Sequence, residues 1–193
     1  MRSRKRIKAI ASVVALAVTM LLLSRVDTLA QRSEHITATA MGTSSQLGRT
    51  VNIDLLINSY STDAEKNILV AAFVSDGNNG LVNALDKMPA RGRLSIPGTL
   101  GYDVNYIRQF RNPDGSRVVR FVTDRPISFQ ESWAMTRSAD YNVTMGEITI
   151  RRNQSASTGT LLPATKVKLS DDKEIEVETF GNPWKLTNIR VSR

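Results

Sequence analysis

From residue 102 onward the chain repeats one pattern, a short run of alternating apolar and polar residues followed by a break rich in Asn, Asp, Gly or Pro. A period of two places every second side chain on one face of an extended backbone, so each run reads as a half-buried strand and each break as a turn. Tyr102, Val104 and Tyr106 alternate with Asp103, Asn105 and Ile107. The turn Asn112-Pro113-Asp114-Gly115 follows, with Pro fixing φ and Gly tolerating positive φ, and Val118 to Thr123 runs back as the second arm of a hairpin. Further strands are expected at Val143 to Arg151, Gly159 to Leu169, Glu174 to Phe180 and Trp184 to Val191. They are separated by the polar stretch Asn153 to Thr158, by Ser170-Asp171-Asp172-Lys173 and by Gly181-Asn182-Pro183. Turns at this spacing predict an antiparallel meander. In Glu174-Ile175-Glu176-Val177-Glu178 the strict alternation predicts one buried face and one face of three carboxylates.

Upstream, Val51, Ile53, Leu55 and Ile57 give one more alternating strand. Thr62 followed by Glu65 matches a capping box and places a helix start there. Ala64, Ile68, Ala71 and Ala72 form its apolar stripe, widened by Leu69 and Phe73, until Asp76-Gly77-Asn78-Asn79-Gly80 stops it. A second short helix is expected from Leu81 to Met88, ended by Pro89 and Ala90-Arg91-Gly92. The fold class is therefore α+β and predominantly antiparallel β: a sandwich or partial barrel with a short helical pair inserted after the first strand. Residues 31–48, rich in Ser, Thr, Ala and Gly, read as a flexible leader or a weak first strand, and 49–193 as a single β-rich domain.

The first 30 residues have the layout of a secretory signal: Arg2, Arg4, Lys5, Arg6 and Lys8, then an apolar stretch from Ala9 to Leu23, then Thr28-Leu29-Ala30 at the expected cleavage site. Fifteen residues fall short of the roughly 20 that span a bilayer, so no stable membrane span is expected after cleavage. The formal charge of +8 is mostly a property of this segment, which holds six Lys/Arg and one acid, leaving 20 basic and 17 acidic residues beyond it. A scattered net of +3 in an exported chain sets nucleic acid aside as a partner. The chain has no cysteine, which removes disulfides, thiol nucleophiles and Cys-ligated metal together.

Chemistry is sparse. His35 is the single histidine and lies close to the expected cleavage site, where it reads as a solvated side chain rather than part of a triad or metal site. Carboxylates are then the side chains left to run acid–base hydrolysis, with Asp103, Asp124, Glu131 and Asp140 as candidates. Asp103 stands at a strand start and Asp124-Arg125-Pro126 at a strand end, positions that can share a rim. The local reading of Asp124 is a turn aspartate bonding backbone amides or paired with an arginine. Asp76 to Gly80 lacks the alternating ligands and terminal Glu of a calcium loop and reads as a helix connector. Trp184 opens a strand and is assigned to the core, whereas Trp133 sits in the aperiodic segment 130–137 and is the ligand-contact tryptophan. The expected ligand-contact set is Tyr102, Asp103, Asp124, Arg125 and Trp133, with no catalytic residue, metal ligand or cofactor assigned.

Four strings, Ser61-Thr62-Asp63-Ala64-Glu65, Leu100-Gly101-Tyr102-Asp103, Thr123-Asp124-Arg125-Pro126-Ile127 and Leu186-Thr187-Asn188-Ile189-Arg190, together resemble a group of uncharacterised exported bacterial proteins with a signal peptide and one domain. The resemblance spans residues 49–193 and implies export without an activity. The expected function is a non-enzymatic periplasmic or secreted binding module for a small apolar or glycan ligand or an envelope protein. The alternatives are a carboxylate-dependent hydrolase acting on an envelope polymer and a structural subunit of an extracytoplasmic assembly.

Overall fold

Ile36, Ala38 and Ala40 alternate with threonines in Glu34–Met41, and Ile53, Leu55 and Ile57 alternate with polar residues in Thr50–Ile57; these segments form antiparallel strands β1 and β2, each with its apolar side chains buried. The computed structural model describes residues 33–127, 141–169, 175–179 and 181–192. Seven further strands follow: β3 (Gly92–Ser95), β4 (Tyr102–Arg111), β5 (Arg117–Thr123), β6 (Val143–Ile150), β7 (Thr158–Leu169), β8 (Ile175–Thr179) and β9 (Trp184–Ser192). Each of β1 to β6 pairs with its sequence neighbour, the first part of β7 pairs with both β6 and β9, and β9 returns to β1, so eight antiparallel strands close into a barrel. Closure removes the free edges that an open sheet would expose. β8 is the ninth strand and pairs with the outer half of β7, beyond the ring.

The interior is filled by Ile36, Leu55, Leu94, Val104, Ile107, Phe121, Ile148, Leu161, Trp184, Leu186 and Ile189, among others. Burying a large apolar side chain contributes about 1.5–3 kcal/mol relative to leaving it in water. Phe121 fits because the residue opposite it on β6 is Gly146, where a Cβ would come within 2.1 Å of the ring.

Between β2 and β3 lies one helical element, α1 (Asp63–Asp86), capped by the box that the sequence predicts: Thr62 Oγ1 accepts from the Glu65 amide, and the Glu65 carboxylate accepts from the Thr62 amide at 2.7 Å. Its geometry breaks at Asp76 and Gly77 alone, with Gly77 at φ +55, and helical backbone resumes at Asn78. The expected five-residue connector is thus a two-residue bend inside α1. Leu69 and Leu85, with Leu81, Val82 and Met88, pack on the barrel's outer wall against Tyr106, Val122, Val143 and Met145. Among these, Tyr106 pairs across the strands with Val122, and Val122 with Met145.

Four expectations are corrected. Residues 34–41 are a barrel strand paired on both edges, so the domain begins well before residue 49. Ala64, Ile68 and Ala71 are exposed, and the buried stripe of α1 runs through Leu69 and Phe73, because the helix meets the barrel along one narrow line. Gly92, read as part of a helix stop, opens β3. Val177 is 45% exposed, so the buried apolar face expected of β8 is not found at that residue; β8 lies past the ring, where among the described residues β7 is the strand that pairs with it. Among the described residues no helix is long and apolar enough to cross a membrane.

Candidate functional site

The barrel has two ends. One carries the starts of β1, β3, β5 and β7 and is called the Glu34 end; the other carries the starts of β2, β4, β6 and β9 and is called the Tyr102 end. Four of the five expected contact residues gather at the second. β4 begins at Tyr102, β5 ends at Thr123, and Val104 pairs with Thr123, so Asp103 and Asp124 are the next residues outward on adjacent strands.

Past Thr123 the chain does not leave the barrel. Residues 124–127 turn over its end and insert Ile127 into the core. Hydroxyls hold this strap: the Ile127 amide donates to Thr144 Oγ1 at 2.8 Å and to the Pro163 carbonyl at 3.0 Å, and the Thr144 amide donates to Thr123 Oγ1 at 3.0 Å. Ile127 then lines a shallow cleft with Ile53, Leu94, Ser95, Ile96 and Tyr102, which has room for about one water molecule. The floor is almost wholly apolar.

Charged pairs form the rim. Arg93 donates to Asp103 Oδ1 at 2.8 Å and to the Leu100 carbonyl at 2.6 Å. Arg125 donates to both oxygens of Asp124 at 3.0 Å each; the Asp124 side chain is only 7% exposed, whereas that of Arg125 is 60% exposed. The bonds it donates to Asp124 and the charge of that carboxylate hold the Arg125 guanidinium above its ordinary pKa, with Asp103 and Asp86 adding smaller pulls. Asp103 and Asp124 are each engaged by an arginine, which is the arrangement of structural ion pairs and not of a poised acid and base. Trp133, Glu131 and Asp140 lie outside the described residues.

The Glu34 end is closed differently. Arg117, buried, donates from Nη1 to Glu34 Oε2 at 2.7 Å and to Gln109 Oε1 at 2.9 Å, and from Nη2 to Glu34 Oε1; the Tyr60 hydroxyl donates to Glu34 Oε2 at 2.8 Å. Glu34 and Arg117 are far apart in sequence, and no local pattern points to their pairing. His35 is on the outer wall of β1, partly exposed, with Nε2 3.7 Å from Asp54 Oδ1. Trp184 is buried in the core. Among the described residues no group of three or more His, Asp or Glu is placed to hold a metal ion.

No family model matches this chain, and no curated protein or solved structure matches it either. The assignment of a role therefore rests on the geometry of the Tyr102 end and on the sequence.

Proposed function

We propose that this chain is an exported, non-enzymatic binding module, periplasmic or secreted, that holds a small apolar or glycan ligand, or an apolar side chain of an envelope protein, at the Tyr102 end. One observation carries the reading: this end leaves an apolar floor of Ile53, Leu94, Ile96, Tyr102 and Ile127 under a rim of ion pairs, with Arg125 turned to solvent. A packed interior supports a ligand site on the rim over one inside the barrel. The layout of residues 1–30 supports the export part of this reading. The resemblance to exported bacterial proteins agrees with export and brings no activity with it.

The test is thermal melting of the purified protein against a panel of envelope lipids, sugars and short peptides, because a ligand that binds only the native state raises its apparent stability. A ligand that shifts the melt of the native sequence, with the shift abolished in Tyr102→Ala and in Arg125→Ala, supports the rim. A panel without any shift, or shifts that both variants retain, sinks it. The hydrolase reading needs a free carboxylate pair, and the arginines beside Asp103 and Asp124 count against it. The assembly-subunit reading is favoured by a separate feature, the open edge of β8.

A further inference from the structure

Among the described residues, β8 is the strand that hydrogen-bonds on one side only. It lies along the same edge of β7 as β9: Thr179 pairs with Thr165, and Trp184 with Leu161. β1 covers β9 as far as Lys185, and the turn after β1 covers the next residues, where the Thr43 hydroxyl donates to the Pro183 carbonyl at 2.6 Å and Asn182 donates to Ser45 Oγ at 3.0 Å. Among the described residues no strand covers β8 beyond that point.

The direction of its backbone groups follows from one bond. Val167 donates its amide to Asn78 Oδ1 at 3.0 Å, away from β8, so Val167 and Val177 oppose each other as a non-hydrogen-bonded pair. By the alternation of an antiparallel ladder, the N–H and C=O of Ile175, Val177 and Thr179 all point to the open edge. The side chains supply a selection rule. Lys168 on β7 pairs with Glu178 and approaches Glu176 at 3.4 Å, while the two carboxylates stay 40% and 52% exposed. Lys166 and Lys168 stand directly opposite Glu178 and Glu176, so the hairpin is a row of cations beside a row of anions.

We propose that the β8 edge receives one β-strand from a partner protein, with Lys or Arg at alternate positions on the face that meets Glu176 and Glu178. Such a strand extends the alternation of charge to a third row, takes up the outward amides and carbonyls, and sets its remaining side chains beside the half-exposed Val177. A second copy of this chain does not fit. Within residues 175–179, pairing β8 antiparallel with itself sets each Glu opposite another Glu or opposite Ile175, Val177 or Thr179, never opposite a cation. The proposal goes beyond the rim reading and stands without it.

The test is an NMR titration of the protein with short blocked peptides alternating Lys with Val, or Glu with Val. The Lys peptide should shift and protect amides 175–179, and the Glu peptide should not. Val177→Pro removes an amide on the open side alone, so it should leave the melting temperature within about 4 °C and abolish binding. Glu176→Lys combined with Glu178→Lys should weaken the Lys peptide on the order of tenfold and admit the Glu peptide. Equal affinity for both peptides, shifts centred away from 175–179, or no binding would overturn the proposal and leave the acids as guards against edge pairing. Tyr102→Ala should leave the titration unchanged, which separates this site from the rim.

Discussion

At the Glu34 end the barrel is sealed by a buried ion pair whose polar atoms meet Tyr60 and Gln109, whereas at the Tyr102 end a strap of backbone is held by the hydroxyls of Thr123 and Thr144 over an apolar floor. The two solutions differ in how they give way. Removing one member of a buried charge pair leaves the other uncompensated and costs several kcal/mol, so the first end is closed or broken with little between. Each hydroxyl bond at the second contributes roughly 0.5–1.5 kcal/mol net, so that end can loosen in small steps while the rest of the barrel stays intact. The proposed ligand surface lies at the end where opening costs less.

The largest effect should come from Arg117→Met, which strands the Glu34 carboxylate; a loss of about 3–5 kcal/mol is expected in urea denaturation at neutral pH. Adding Glu34→Leu should recover most of it. A single variant within 1 kcal/mol of the native sequence, or no recovery in the double, would mean that the charge network is not what seals this end. Mid-barrel, Gly146→Ala drives a methyl into the Phe121 ring and should cost about 1–3 kcal/mol at neither end in particular, with Phe121→Leu restoring part of the loss. Thr144→Val keeps shape and removes the hydroxyl that serves Ile127 and Pro163. It should cost about 1–3 kcal/mol and speed hydrogen exchange at the Ile127 amide while exchange near Tyr60 is unchanged; uniform acceleration at both ends would erase the contrast between them.

The smallest effect concerns pH. Burial raises the Glu65 pKa, but the bonds from Arg91 and from the Thr62 amide and hydroxyl outweigh it, and the carboxyl is left below its ordinary 4.5. A folded value below the unfolded one gives stability that is present above pH 4.5 and lost as the pH falls toward the folded value. Melts of Glu65→Gln across that acid range should therefore slope less steeply than those of the native sequence. Identical slopes would remove Glu65 from the account.

Strands with large apolar residues at alternate positions were legible from the sequence: β2, the β4–β5 hairpin, β6, β7 and β9. β1 was ambiguous because Ala38 and Ala40 give little contrast against Thr37 and Thr39, although inside the barrel they are buried as fully as Ile36. β3 is four residues long and opens on Gly92, too little to carry a period. In α1 the expected stripe is too wide: Leu69 and Phe73 are buried and Ile68 is not, since Ile68 and Leu69 are equally apolar and only the barrel wall chooses between them. At the site, Asp103, Asp124 and Arg125 were legible as strand-end residues able to share a rim. The floor was not, because Ile53 and Leu94 meet through the pairing of β2 with β3, and Ile127 joins them only when the strap turns over the barrel end.

That closure also orders events in time. β1 pairs with β9, His35 opposite Ser192, so the first strand of the barrel waits for the last. While the chain is being synthesised, the hairpins from β2 to β7 can form in turn, but β1 keeps one edge open until β9 has emerged. Contacts that span nearly the whole domain form slowly, and an unpaired edge in the meantime invites pairing with other chains. A chain stopped anywhere before Trp184 would therefore keep the edge of β1 open, and completion of the final strand is the moment at which the ring closes and, among the described residues, the edge of β8 is the one left exposed.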